Sequence, residues 1–198
     1  MNKKSKSNRL VAVSVIIGAV VVSCGNRNEM PKPHAYYRID FPEKAYRVYE
    51  SDCPFTFDFP VYGEILPASN HPDEPCLFNI VFPAYKSTVH MTYKEIHQDL
   101  DVYLEDDWTF VYKKISQKAD AVEPHTYADT VRRVYATVYD IKGNAASPVQ
   151  FFVTDSVRHF IRGSLYFSVR PNYDSLAPVI GFFRKDITRM IESFNWRY

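Results

Sequence analysis

The sequence lacks the short motifs that identify several common enzyme classes. It contains no G-x-S-x-G, no H-E-x-x-H, no C-x-x-C and no Walker or Rossmann glycine pattern. Nucleophile-elbow hydrolases, zincins, thioredoxin-like redox proteins and dinucleotide-binding folds are therefore unsupported. The sequence is also not of low complexity. Such sequences are rich in glycine and proline, and these 198 residues include only six glycines and 13 prolines.

An excess of positive charge is also missing. The first 23 residues hold four of the 24 basic side chains and none of the 23 acidic ones, so the rest of the chain has a net charge of −3. Nucleic-acid binding needs a basic face, and a weakly acidic domain argues against it. Aromatic residues are plentiful instead, with 15 Tyr, 14 Phe and two Trp, which suits strands, cores and protein interfaces.

One apolar run stands near the N-terminus, and it is short. It extends from Leu10 to Val22, behind four basic residues and ahead of Ser23 and Cys24. A membrane span needs about 20 apolar residues, so this arrangement indicates a secretory signal peptide over residues 1–23. Val21-Val22-Ser23-Cys24 resembles the lipobox of bacterial lipoproteins, which implies cleavage before Cys24 and lipidation of it with palmitate-type chains. The alternative is an uncleaved N-terminal anchor in which Cys24 is incidental.

The residues after the cysteine predict a tether and a location. Residues 24–34 have little apolar periodicity and two prolines, which is typical of a flexible tether, and residues 35–198 are long enough for one globular domain. Gly25 rather than Asp follows the cysteine, which in lipoprotein sorting favours the outer membrane. Glu29 is the one acidic residue of the tether, so we expect the periplasmic face.

Hydrophobic periodicity predicts an antiparallel sheet. The strand candidates are short apolar runs or alternate apolar with polar residues, and they cover residues 55–59, 77–82, 87–93, 132–142, 149–154 and 159–169. The last three are joined by short connections that hold turn residues, Gly143-Asn144 and Asp155-Ser156. We therefore expect these three strands to form an antiparallel meander at the centre of the sheet.

Two stretches have the period of an amphipathic helix. Residues 99–116 are expected to be helical, capped by Asp99 or Asp101, and residues 174–194 form the second helix, capped by Asp174 or Ser175. The first predicted apolar stripe contains Leu100, Leu104, Trp108, Val111 and Ile115. The second contains Leu176, Val179, Ile180, Phe183, Ile187, Met190, Ile191 and Phe194.

These elements together predict the fold class. Phe183 and Ile187 are expected at the buried centre of the second helix, with Pro178 in its first turn. The prediction is an α+β domain in which two amphipathic helices pack on an antiparallel sheet. Its order of elements resembles PsbP-like and Mog1-like domains.

Two cysteines remain once Cys24 is lipidated. Cys53 and Cys76 each precede a strand candidate, and an exported protein enters a compartment where disulfides persist. We predict a structural disulfide between them, formed between neighbouring strands. The alternative is two buried free thiols, because cysteine packs as a small apolar residue.

The remaining polar clusters have structural explanations. None of the six histidines has a partner at i, i+4, so no metal site is predicted. Ser156, between Asp155 and His159, is better explained by a turn than by a catalytic triad. Asp155 is expected to pair with Arg162 across the sheet, and the acidic residues 105–107 are expected on a solvated helix face. Four tyrosines either cover a sheet edge or form an interaction surface: Tyr36, Tyr37, Tyr46 and Tyr49.

Many stretches, in order along the mature chain, resemble the gliding-motility lipoprotein GldD family. They include residues 31–33, 37–44, 53–55, 79–83, 92–94, 103–106, 142–147, 150–152, 154–156, 159–160, 162–167, 171–172, 174–179 and 191–194. The resemblance implies a cell-envelope lipoprotein that is required for gliding and associated with type IX protein secretion. It implies protein partners in that machinery, and it brings no catalytic residues, cofactor or metal, so we expect a protein that is not an enzyme.

Two classes of function remain open at this stage. The first is a non-enzymatic, lipid-tethered component that binds proteins of the motility and secretion machinery. The second is a periplasmic small-ligand-binding protein or enzyme with a pocket between sheet and helix. A solid apolar core with an exposed aromatic patch favours the first class, and a polar cleft with converging charged side chains favours the second.

Overall fold

Strands dominate the computed structural model, which describes residues 39–68, 74 and 76–197. The ten strands in this part of the chain are β1 (Tyr46–Tyr49), β2 (Phe55–Pro60), β3 (Glu64–Pro67), β4 (Phe78–Phe82), β5 (Ser87–Glu95), β6 (Ala119–Asp129), β7 (Val134–Gly143), β8 (Val149–Thr154), β9 (His159–Phe167) and β10 (Asn195–Trp196). Two α-helices accompany them, α1 (Leu100–Thr109) and α2 (Tyr173–Glu192).

The strands form two antiparallel sheets. The large sheet has the order β3-β4-β5-β9-β8-β7-β6, and the small sheet has the order β1-β2-β10. The predicted meander is confirmed, because β7 pairs with β8 and β8 pairs with β9, all antiparallel. Gly143 ends β7 at φ +92°, where a Cβ atom would lie 2.7 Å from the backbone nitrogen of Asp120. The α+β fold class is likewise confirmed.

The main apolar core lies on one face of the large sheet. Helix α2 and the small sheet cover this face, and Phe183 and Ile187 are each 1% exposed, as predicted. The cap differs from the prediction: the side chain of Asn172 accepts the backbone N–H of Ser175. Because the helix starts at Tyr173, Pro178 lies beyond the first turn, inside the helix.

The other face of the large sheet is only partly covered, by α1 and the turns that follow it. Alternation along β7 explains the division, since Val138 belongs to the main core while Tyr139 and Ile141 pack with Val111 in a second, smaller cluster. Helix α1 ends at Thr109 and continues as a π-helical turn over Phe110–Lys114 and a 3₁₀ turn over Ile115–Lys118.

The prediction for the buried stripe of α1 was wrong in two places. Trp108 is 48% exposed, whereas Asp107, predicted on the solvated face, is 1% exposed. The partner of Asp107 is Arg162 on the distant strand β9, and spacing within the helix cannot reveal such a contact. Asp99 occupies the position before the helix, but its side chain accepts the backbone N–H of His97 instead of capping α1.

A disulfide joins Cys53 to Cys76, with the Cα atoms 5.6 Å apart. That distance lies within the range of about 4.4–6.8 Å which disulfides require. The two cysteines stand before β2 and β4, which belong to different sheets, so the bond links the sheets, whereas the sequence analysis expected neighbouring strands.

We expect unfolded, unreduced protein purified from the envelope to leave Cys53 and Cys76 unlabelled by a thiol reagent. Prior reduction is the control, and it should expose both thiols to the reagent. Replacing both cysteines by alanine should lower the free energy of unfolding by about 3 kcal/mol, because the bond closes a loop of moderate length. Labelling of both cysteines without reduction would show that they are free thiols.

The predicted segments before the domain lie outside the described residues. They are the signal peptide, residues 1–23, the lipidated Cys24 and the tether that ends at residue 34, and they stay predictions. Within the part of the chain that the structure describes, no helix has both the length and the apolar character that a membrane span requires.

Candidate functional site: a polar groove on the open sheet face

The candidate site is a strip of side chains on two neighbouring strands of the large sheet. The pairing of β5 with β9 places Thr88 opposite Tyr166, His90 opposite Ser164 and Thr92 opposite Arg162. Successive side chains of a strand point to opposite faces, so these six lie on the face away from the main core. We call this strip of three cross-strand pairs the polar groove.

Helix α1 and the π-helical turn close one end of the polar groove. The ring of Tyr103 stacks on Phe160 with centroids 5.5 Å apart, which covers β9 beside Arg162. The guanidinium carbon of Arg162 lies 3.8 Å from the centre of the Phe110 ring. A cavity of about 350 Å³ remains in front of these residues, and it is lined by His90, Thr92, Phe110, Arg162, Ser164 and Tyr166.

A buried ion pair lies at the closed end. Nε of Arg162 is 3.2 Å from Oδ1 of Asp107, and the two side chains are 23% and 1% exposed. Burial lowers the pKa of Arg162 and raises the pKa of Asp107, each by removing water from the charged form. Removing each charged group from water therefore costs free energy, and the attraction between the two groups offsets only part of that cost.

The hydrogen bonding around this pair is incomplete. Among the described residues, Nε of Arg162 and Nε2 of Gln150 are buried without a hydrogen-bond partner of good geometry, and so are both oxygens of Asp107, although the Tyr139 hydroxyl lies close enough to Asp107 to lower the pKa of its carboxyl. Nη2 of Arg162 does donate to Oε1 of Gln150 at 3.2 Å. Buried polar groups normally find partners, so this cluster indicates a place where water or a ligand completes the network.

His90 is a neutral member of the groove at physiological pH. Burial lowers the pKa of its ring below the ordinary 6.5. Nδ1 lies 2.6 Å from Oδ1 of Asn79. Because an amide oxygen only accepts, we assign the proton to Nδ1, which leaves Nε2 as an acceptor. The Tyr166 ring contacts His90 edge to face at 5.4 Å.

The groove has the chemistry of a binding site. It offers one guanidinium, one imidazole acceptor and three hydroxyl groups, on Thr92, Ser164 and Tyr166, with an aromatic wall at Phe110. No group of three or more His, Cys, Asp or Glu side chains among the described residues is arranged to hold a metal ion. Recognition by hydrogen bonds and charge is therefore what these side chains support.

The turn between β8 and β9 has a structural role. Oδ1 of Asp155 accepts the backbone N–H groups of Val157, Arg158 and His159 at 2.8–3.0 Å. Burial raises the pKa of Asp155, but these bonds outweigh it and leave the pKa below its ordinary value. The predicted pairing of Asp155 with Arg162 is therefore wrong, because the turn engages Asp155 and α1 supplies the partner of Arg162.

His159 and its neighbours form a second structural contact. Its ring stacks on Trp196 at 5.1 Å, and its Nδ1 lies 2.9 Å from the hydroxyl of Tyr93. Ser156, with φ at +67°, occupies the turn itself. The structure therefore agrees with a turn rather than a triad at Asp155, Ser156 and His159.

A separate polar cluster surrounds Asp186 on α2. Its carboxylate accepts Nζ of Lys44 at 2.7 Å and the hydroxyls of Tyr46 and Tyr62 at 2.9 and 2.7 Å. Burial and the bond to Asp186 raise the pKa of Tyr46 to about 12 and raise that of Tyr62 further. These contacts join α2 to β1 and to the residues after β2, and they give the cluster a structural role.

The structure describes two of the four tyrosines that were considered as an interaction surface. Tyr36 and Tyr37 lie outside the described residues. Tyr46 bonds to Asp186, and Tyr49 is buried in the main core, where its ring lies 4.9 Å from both Phe57 and Phe78. Tyr46 and Tyr49 therefore do not form an exposed aromatic patch.

A larger cavity, of about 490 Å³, lies at the start of α2 beside Asp120, Asn144 and Asn172. The amides there are already used, since Asn144 accepts the N–H of Tyr173 and Asn172 accepts that of Ser175. Buried polar atoms without partners lie elsewhere in the described chain, mostly at the polar groove, so the groove is the stronger candidate.

Sequence reasoning missed the polar groove, although one signal was present. Along β9 the residues on the open face are Phe160, Arg162, Ser164 and Tyr166. Charged side chains are rarely buried without a partner. An arginine at the centre of a mostly buried strand therefore indicates a counter-charge or a binding role. Asp107 gave no such signal, because it stands in an acidic run on a helix.

Comparisons with known proteins give one matching family model and four matching chains of solved structures. The model of a family described as "Gliding motility lipoprotein GldD" matches residues 26–196. The search of curated proteins finds no significant match. Solved structures that match include the solution structure of cyanobacterial PsbP from Synechocystis sp. PCC 6803, at 11% identity and a TM-score of 0.47, covering 81% of this chain and 97% of that one.

Proposed function

Since this chain belongs to the gliding motility lipoprotein GldD family, we propose that it is a non-enzymatic, protein-binding component of the envelope machinery for gliding and type IX secretion. The observation that carries the proposal is the extent of the family match, which runs over residues 26–196 and so includes the whole domain. The main core is filled by aromatic and aliphatic side chains, and this favours a scaffold that binds other proteins through its surface.

The family implies a lipid-anchored protein of the cell envelope. We propose Cys24 as the lipidated residue and the periplasmic face of the outer membrane as the location. Gly25 after the cysteine and the scarcity of acidic residues in the tether support this choice.

Replacing Cys24 by alanine should move the protein from the detergent phase to the soluble periplasmic fraction, or leave the precursor uncleaved. The thiol is the point of lipid attachment, and stable anchoring needs more than one acyl chain. Ser23→Ala is the matched control, because it keeps a small residue before the cysteine and should leave anchoring unchanged. Incorporation of a fatty-acid probe into the Cys24→Ala variant would contradict the assignment.

The protein-binding role is tested by affinity capture from solubilised envelopes, followed by mass spectrometry. We expect components of the gliding and secretion machinery to be captured with the wild-type chain and lost with Trp108→Ala. Trp108 is 48% exposed on α1, and exposed tryptophans often anchor protein interfaces. A capture that brings down none of these components would contradict the proposal.

The polar groove favours a second candidate function, a lipid-tethered protein that binds a small ligand. The cavity of about 350 Å³ beside Arg162 lies between the large sheet and Phe110 of the π-helical turn, and the second class of function would require such a pocket. The two candidates differ in what occupies the groove, a segment of a protein partner or a free small molecule.

A further inference from the structure

We propose that the polar groove binds the C-terminal carboxylate of a partner polypeptide, with Arg162 as the residue that contacts the carboxylate. The inference rests on the proposed protein-binding function and adds the chemistry of the partner segment. It draws on the charge, the shape and the spacing of the groove.

The guanidinium of Arg162 is fixed in an orientation that suits an anionic ligand. Asp107 lies beside Nε, Gln150 accepts from Nη2, and the Phe110 ring supports the plane of the guanidinium. Nη1 makes no hydrogen bond to any described residue, and the side chain, which lines the cavity, is 23% exposed. A planar guanidinium fixed in this way matches the geometry of a carboxylate, and its charge persists at all physiological pH values.

The number of charges favours a carboxylate over a phosphate. Arg162 is the one cation that lines the cavity, and Asp107 offsets part of its charge from the opposite side. A dianionic phosphate group would need further positive charge at this site, whereas a monoanion does not. The hydroxyl of Thr92, directly opposite Arg162 on β5, supplies a neutral donor to the same anion.

The shape of the groove favours a chain end. Arg162 lies at the end that α1 closes, where Tyr103 covers Phe160. A polypeptide that continued past its anionic group would collide with α1, whereas a chain terminus stops there. From Arg162 to Tyr166 the strip is about 14 Å long, at about 3.4 Å per residue, and this length accommodates about four extended residues.

The spacing of the groove favours a peptide over a free acid. His90 and Ser164 form the row two residues from Arg162, about 7 Å away. Nε2 of His90 is an acceptor, and an extended ligand places a backbone N–H about that far from its terminal carboxylate. A peptide can therefore bond to both rows, while a small carboxylate reaches only the first.

The test compares peptides that differ only at the terminus. The probe is a fluorescein-labelled pool of hexapeptides, randomised at the last three positions, with a free C-terminal carboxylate or a C-terminal amide. Binding to the full-length lipoprotein in detergent micelles is followed by fluorescence anisotropy. We expect the free-acid pool to bind at least about tenfold more tightly, because the amide removes the charge that Arg162 recognises.

Two groove variants and one control locate the binding. Arg162→Lys keeps a positive charge beside Asp107 but loses the planar fork, and Thr92→Phe fills the groove while it leaves both members of the ion pair unsubstituted. Both substitutions should lower the affinity for the free-acid peptides at least about tenfold. Thr126→Phe, on the exposed face of β6, should leave that affinity unchanged. If Arg162→Lys fails to fold by circular dichroism, Thr92→Phe decides the question.

Acetate distinguishes the two sources of a carboxylate. We expect acetate to displace the peptides only at concentrations at least about a hundredfold above their dissociation constant. Equal affinities for acetate and peptide would overturn the peptide assignment in favour of a small carboxylate. Equal binding of the acid and amide pools, or full binding to Thr92→Phe, would overturn the site itself. The anchoring and envelope-capture experiments do not depend on these outcomes.

Discussion

Replacing Phe183 by alanine should lower the free energy of unfolding by about 3–5 kcal/mol. The side chain is 1% exposed at the centre of α2. Its ring lies 4.5 Å from Phe82 and 5.5 Å from Tyr85, so the truncation leaves a cavity between the helix and the large sheet. A loss of this size is a large part of the stability of about 5–15 kcal/mol that domains usually have.

Urea unfolding of purified residues 35–198, followed by circular dichroism, measures this loss. Lys185→Ala is the matched control, because it changes an exposed residue of the same helix and should alter the free energy by less than about 0.5 kcal/mol. If both variants unfold at the urea concentration of the wild type, α2 does not pack on the sheet as described.

The second large effect is expected at the buried pair of Asp107 and Arg162. Arg162→Met should lower the free energy of unfolding by about 3–5 kcal/mol, because it leaves the Asp107 carboxylate buried without a counter-charge. Asp107→Leu should have a similar effect by leaving the guanidinium unpaired. The double variant, with both substitutions, should be close to the wild type or more stable, since it removes both desolvation costs.

The pH dependence of Arg162→Met gives an independent check. Burial raises the pKa of Asp107 above its ordinary 3.8, so the folded state binds a proton more readily than the unfolded state does. Stability linked to such a group is greatest at low pH and is lost as the pH rises through the folded-state pKa. The destabilisation should therefore be smaller at about pH 5 than near neutral pH.

A double-mutant cycle in urea unfolding separates these contributions. Single variants that each cost several kcal/mol, with a double variant near the wild type, would establish the ion pair as buried and coupled. Additive losses in the double variant would show instead that each side chain contributes through packing. If apolar residues can replace Asp107 and Arg162 without loss of stability, the pair is not needed for folding. A role in binding at the polar groove would then explain why the protein has it.

The open face of the large sheet gives the fold a place for a partner. The small sheet, α2 and the disulfide all lie on the other face or beside it, where they stabilise the domain. Helix α1 covers the open face only in part, and its π-helical turn sets Phe110 beneath Arg162. The main core and the candidate binding site thus occupy opposite faces of one sheet.

Local sequence patterns were enough to predict the elements that depend on near neighbours. The meander of β7, β8 and β9 follows from alternation and turn residues, and the buried face of α2 follows from a stripe that includes Phe183 and Ile187. The lipoprotein signal around Cys24, which stays a prediction, is also a linear pattern. In each case, the residues that determine the outcome lie within a few positions of one another.

Tertiary structure alone decided the features that join distant parts of the chain. Asp107 is buried because Arg162 lies opposite it on β9, and an acidic residue on an amphipathic helix cannot show this by its spacing. The bond from Cys53 to Cys76 crosses between sheets because β2 and β4 separate in the fold. Periodicity reports which face of an element is apolar, but the burial of a charge depends on the partner that the fold brings to it.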